Sequence, residues 1–159
     1  MRKANYDKFP STKLTGMLVQ GWDSIISMLK EKMDARKVLA VDLYTGVYEE
    51  EVLDAFSKEF SGKVMNVRDL MKPEQEIQTL TERFMTEDVL FGYVTNLKLE
   101  DYLDVDKVAA ARKQISEAKE TIVIIGTGAA VVAPQDAMVV YADMARWEIQ
   151  QRFRRHEVK

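Results

Sequence analysis

Cysteine is absent from the 159 residues of this chain. That removes disulfides, thiolate nucleophiles and Cys-ligated zinc together, and it fits a reducing compartment, so a cytoplasmic setting is expected. Histidine occurs once, at His156. No Ser-His-Asp set and no histidine-based metal site can be assembled from that single side chain. No apolar run approaches the ~20 residues of a transmembrane helix. The opening stretch MRKANYDKFPSTKL is basic but lacks the apolar centre of a signal peptide. An excess of one charge is missing too: the net charge is −3, which gives no bulk electrostatic case for nucleic acid or an anionic membrane. Repeats, low-complexity tracts and linkers are likewise lacking.

What is present is ordinary for a globular domain, with 47% hydrophobic and 31% charged residues. The length suits one domain, enough to bury ~68–70% of the surface exposed by the unfolded chain. Residues 1–20 read as an extended lead-in, since Phe9-Pro10 disfavours helix. Residues 21–159 read as a single α/β domain. The last residues, RFRRHEVK, sit in a charged helical pattern without a Gly or Pro stop. This fits a segment cut from a longer protein as well as it fits a frayed last helix.

Apolar periodicity marks the elements. Trp22, Ile25, Ile26, Leu29 and Met33 share one face of a helix over Gly21–Arg36. An apolar strand, Val38–Leu43, runs into a turn with one glycine, Gly46, and then a helix over Glu49–Phe60 with Gly62 as its stop. A short strand follows at Lys63–Val67. Pro73 suits a first helical position, with Glu74 and Glu76 in the first turn and Ile77, Leu80 and Phe84 on one face. Val89–Val94 reads as a further strand weakened by Gly92. Asp104 or Asp106 caps a helix that carries Val108, Ala111 and Ile115. Thr121–Ile125 and Met138–Ala142 are β-branched, apolar strands, and Arg146–Arg155 is the last helix. Strands apolar on both faces that alternate with helices imply a covered parallel sheet. The expectation is a three-layer α/β/α domain with a doubly wound, mostly parallel sheet of five strands.

Ligands of such sheets bind beyond the carboxyl ends of the strands. That singles out Tyr44–Tyr48, Arg68–Lys72, Thr95–Leu99, Gly126–Pro134 and Asp143–Arg146. The first is the strand–loop–helix frame in which backbone N–H groups and the helix dipole attract phosphate. The contents do not match. A Walker pattern needs two glycines and a Lys-Ser/Thr pair, whereas Asp42, Tyr44, Thr45, Gly46 and Val47 lead to Glu49-Glu50-Glu51. Three carboxylates in a first turn suit the dipole and repel phosphate. Gly126-Thr127-Gly128 invites a dinucleotide reading with Asp143 as the ribose acid, but Pro134 leaves room for barely one helical turn, and a tight backbone turn is the default use of such glycines. Arg146, Arg152, Arg154 and Arg155 could clamp a transferring phosphate; a solvated basic helix with a Glu148–Arg152 pair is the favoured alternative. Asp42, Asp69 and Asp143 stand at strand ends with nothing to orient any of them as a general base. The candidate ligand-binding set is therefore Asp42, Tyr44, Thr45, Gly46, Asp69, Gly126, Thr127, Gly128, Asp143, Arg152 and Arg155, with neither a catalytic nor a metal-ligating residue.

Two segments carry a more specific likeness. KVLAVDLYTGVYEEEVLDAFSKEF resembles the first strand, loop and helix of a uridine-kinase-like P-loop domain. TIVIIGTGAAVVAPQDAMVVYADMARWEIQQRFRR resembles its later part, and the element order matches over most of residues 21–155. The departure is the missing Walker lysine and hydroxyl. The stretch YADMARWEIQQRFRR, with the lead-in YDKFPSTKLTGMLVQGWDSI, is similar to the N-terminal half of a long bacterial form of class I mannose-6-phosphate isomerase. There a kinase-like segment precedes a cupin domain that interconverts mannose and fructose 6-phosphates at a divalent metal, zinc by expectation. The resemblance implies a non-catalytic, regulatory or structural domain that binds no cofactor itself. Its implied partners are a cupin domain, a nucleotide or sugar phosphate, or a second copy of the chain. A working nucleoside or sugar kinase with an unconventional loop is the alternative.

Overall fold

The computed structural model describes residues 10–13, 15–88 and 91–158. Its centre is a parallel sheet of four strands: β1 (Val38–Leu43), β2 (Lys63–Asn66), β3 (Ile122–Gly126) and β4 (Met138–Ala142), in the order β2-β3-β1-β4. In register, Ala40 lies opposite Ile124 on one side and Val139 on the other. Alternation along β1 and β3 sends side chains to both faces. Leu39, Val41, Leu43, Val123 and Ile125 meet α1 (Trp22–Met33) and α2 (Glu49–Glu59) through Ile26, Leu29, Val52 and Phe56. Val38, Ala40, Ile122 and Ile124 meet α4 (Val105–Glu117) and the single turn α5 (Ala129–Val132) on the opposite face. This is a doubly wound α/β/α sandwich, as the two-sided apolar strands require. Two further helices lie outside these layers: α3 (Glu74–Glu82) and α6 (Arg146–Arg154), neither of which has a fully buried residue.

The sheet has four strands where five were expected. Residues 91–94 form no strand and are exposed, and Val89 and Leu90 lie outside the described residues, as does half of the expected lead-in, residues 1–9 and 14. Among the described residues no strand lies beside Phe91, Tyr93 and Val94 to supply the ladder that β-propensity alone cannot. Gly62 is not a left-handed helix stop. Phe60 ends α2 in extended geometry, and Gly62 is small because a Cβ there would lie 1.9 Å from the Thr121 carbonyl oxygen. Asp104 does cap α4, accepting from the amides of Asp106 and Lys107.

The connections fix where a site can lie. From β1 the chain crosses through α2 toward β2, whereas from β3 it crosses through α5 toward β4, on the other face. The adjacent carboxyl ends of β1 and β3 are thus the topological switch point, where a crevice opens.

A candidate cleft at the switch point

A cleft of about 820 Å³ opens there, lined by Leu43, the whole loop Tyr44–Tyr48, Glu49–Glu51, Arg68, Thr127, Glu157 and Val158. Its size suits a small-molecule site. The structure brings Tyr44, Thr45, Gly46 and Thr127 of the expected set onto this wall.

The β3 side is closed by the protein itself. The carboxylate of Asp42 accepts from the Gly128 amide at 3.2 Å and from the Ala130 amide at 2.9 Å. Those amides are the donors a dinucleotide phosphate would take, so an internal anion stands in its place. Thr127 Oγ1 donates to the Leu43 carbonyl at 3.0 Å, stitching the two loops together. Gly126 and Gly128 both have positive φ, of 134° and 89°, and Gly126 lies where a Cβ would come within 2.9 Å of the Val67 side chain. The glycines serve a tight turn and close packing. Asp143 turns its carboxylate to the Met144 amide, and Asp69 lies exposed in the short 3-10 turn Val67–Leu70. Neither faces the cleft.

The β1 side is held by α6. Gly46 has φ of 93°, and a Cβ there would lie 3.2 Å from the Ile149 side chain. Its carbonyl accepts from Arg152 Nη1 at 2.6 Å. The Arg152 guanidinium lies 3.6 Å from the centre of the Tyr48 ring and also donates to Glu148 Oε1 at 3.3 Å. The Tyr48 hydroxyl donates to Glu157 Oε2 at 2.6 Å. Arg155 forks onto the same carboxylate, at 2.6 Å from Nε and 2.8 Å from Nη2, and reaches Glu148 at 3.1 Å. Arg152 and Arg155 therefore stand behind the Tyr48 and Glu157 side chains that line the cleft, committed to internal partners. Across the cleft, Glu49 takes Arg68 at 3.1 Å and Asn66 Nδ2 at 2.8 Å, and Glu51 accepts from Trp22 Nε1 at 2.9 Å.

These contacts set the charge states. Hydrogen bonds from Arg155 and then Tyr48 lower Glu157 from 4.5 to about 2. Hydrogen bonds from Arg155 and Arg152 also lower Glu148. The Glu157 carboxylate, accepting the phenolic proton, raises Tyr48. The carboxylates stay ionised and Tyr48 stays a donor across the physiological range.

Tyr44 is not part of this cluster. It packs edge-on against Tyr141, with ring centres 6.3 Å apart, and both rings are largely exposed. Among the described residues no three His, Asp or Glu side chains come together to hold a metal ion, and no helix is long and apolar enough to cross a membrane. Tyr48 and Arg68 lie in loops that the sequence singled out but were not in the candidate set, and Ile149 and Glu157 were missed altogether. Tyr48 and Glu157 are 109 positions apart, and no local spacing announces such a pair.

Residues 21–159 match a family described as a domain of unknown function, DUF8485. The chain belongs to that family. Neither the curated proteins nor the solved structures give a match. The matched span takes in every strand and helix among the described residues, including α6, so the helix fastened to the Gly46 loop lies within the family's domain.

Proposed function

We propose that this domain is a non-catalytic, kinase-like module in which the phosphate loop has become a joint that fastens α6 to the sheet. One observation carries the reading. The glycine of the loop, Gly46, gives its open side to Ile149 and its carbonyl to Arg152, so the close backbone approach that a phosphate would use belongs to the protein. Of the four arginines that could neutralise transferring phosphate, Arg152 and Arg155 are paired with Glu148 and Glu157, and Arg68, the one cation among the described residues that line the cleft, is paired with Glu49. Phosphoryl transfer depends on positioned positive charge, and here that charge is spent on folding. The role is regulatory or structural. The likeness to the segment that precedes the cupin domain of a mannose-6-phosphate isomerase supports a place beside such an enzyme, whose metal and chemistry would belong to the cupin partner. A cytoplasmic setting is part of the same proposal.

The test is phosphoryl transfer itself. Purified domain incubated with Mg·ATP and a panel of nucleosides and hexoses should yield no phosphorylated product above the background of an Arg152→Ala, Arg155→Ala variant. Turnover that this variant abolishes would reinstate the alternative, a small-molecule kinase with an unconventional loop.

A further inference from the structure

The side chains that hold Glu157 form a cradle for an oxyanion. Tyr48 supplies one O–H donor, and Arg155 supplies a fork of two N–H donors, all aimed at one carboxylate within 2.6–2.8 Å. Arg152 lies beneath the Tyr48 ring and adds a second guanidinium. Forked guanidinium with a hydroxyl is the donor set that recognises carboxylates and phosphates from outside as readily as from within.

We infer that this cradle is a binding site for the phosphoryl group of a small molecule, held shut by Glu157 as an internal competitor. Three features support an exchangeable occupant. Glu157 stands on no buried framework: α6 has no fully buried residue, and Trp147 and Phe153 are exposed. Such an element opens locally at small cost. Second, the cluster goes from neutral to positive when Glu157 leaves. Arg152 and Arg155 then face one carboxylate, Glu148, and one positive charge is uncompensated. Third, a tetrahedral phosphoryl group presents three acceptor oxygens to Tyr48 and the two guanidiniums, whereas the carboxylate presents two. The adjoining cleft of about 820 Å³ has room for the rest of the ligand beside Thr45 and Thr127. Acidification does not work this latch at ordinary pH, because the Glu157 carboxylate is protonated only near pH 2. A competing anion does. The inference deepens the non-catalytic reading by giving the same cleft a ligand class and a gate.

The experiment compares wild-type protein with Glu157→Gln, and with Arg155→Gln on the Glu157→Gln background, in thermal melts titrated with inorganic phosphate and with glucose 6-phosphate. Potassium chloride at matched ionic strength is the control. Glu157→Gln should be stabilised by phosphate at concentrations about tenfold below those wild type requires, and the double variant should lose the response. Stronger stabilisation by the sugar phosphate assigns the site to an ester whose organic part fills the cleft; equal response assigns it to the free anion. No phosphate-specific stabilisation of Glu157→Gln, or the same response in wild type, overturns the inference. Should Glu157→Gln loosen α6, hydrogen exchange over Arg146–Arg154 decides: phosphate must restore protection, and exchange unaffected by phosphate overturns the site. Phosphoryl transfer from ATP would remove the non-catalytic reading and leave this site standing, so the two failures are distinct.

Discussion

Helices α2 and α6 grip the same loop, Tyr44–Tyr48, by opposite means. Helix α2 descends from the loop into the sheet, where Phe56 is 1% exposed, stacks on Phe60 at 5.6 Å and meets Trp22 edge-on at 6.3 Å. Helix α6 lies over the loop and is fastened by Ile149 against Gly46, one guanidinium on a tyrosine, and hydrogen bonds to carboxylates that water also reaches. Apolar burial is non-directional and hard to undo locally. Charge-assisted contacts at a surface are directional and contribute little net stability, the typical exposed pair giving ~0–1 kcal/mol. The loop is thus anchored on one side and gated on the other, and the gate is where ligand chemistry can act.

If that contrast is correct, the largest loss should come from α2. Phe56→Ala removes a fully buried ring and should lower stability by ~3–5 kcal/mol, read as a shifted urea midpoint with the slope unchanged. A loss below ~1 kcal/mol would mean that the layer under α2 is not the anchor. Next comes the seam between β1 and β3. Asp42→Ala leaves the Gly128 and Ala130 amides without their acceptor, at a cost of ~1–3 kcal/mol. The same substitution exposes two amides in the crevice, so an added anion should recover part of the loss; melts with and without sulfate measure it.

The anchor was legible in the sequence and the gate was not, and the reason is range. Val52, Phe56 and Phe60 announce their common face by spacing, and the β-branched run Ile122–Ile125 announces a strand buried on both sides. Asp104 as a cap needs only its neighbours two and three positions on. The switch-point loops follow from the α/β alternation, so Asp42, Gly46 and Thr127 could be singled out. The partner each would take could not. Asp42 meets amides 86 and 88 positions away, and Gly46 meets Arg152 at a separation of 106. The Glu148–Arg152 pair was legible from helical spacing and is present, whereas Glu157, which Tyr48 meets at a separation of 109, gave no such signal. The strand expected at Val89–Val94 shows the converse limit. Residue type favoured β, but strand structure needs a neighbour, and the described part of that segment has none.

On the gate itself, Gly46→Ala should cost about 1–2 kcal/mol, since it combines a positive φ with a Cβ pressed on Ile149. Its signature is local. Trypsin should cut at Arg152, Arg154 and Arg155 faster than in wild type, while exchange of the β1 and β3 amides stays slow. Uniform acceleration across the sheet would place α6 among the elements that hold the core.

The smallest effect follows from titration of the latch. In the folded state Arg155 and Tyr48 favour the ionised form of Glu157, whose pKa falls from 4.5 to about 2. A carboxylate with a lowered folded pKa adds to docking above its unfolded value, and the contribution fades as pH drops from 4.5 toward 2. Protection of the α6 amides should therefore decline over that window ahead of the sheet amides, and Glu157→Gln should remove the Glu157 part of that decline, leaving the smaller part that belongs to Glu148. The side chain is solvent-accessible, so the step should be shallow and should shrink further in high salt. A pH-dependent step in α6 that keeps its full size in Glu157→Gln would make Glu148 the titrating group. The gate would then be the Arg152–Glu148–Arg155 cluster, with Tyr48 as its platform and Glu157 outside it.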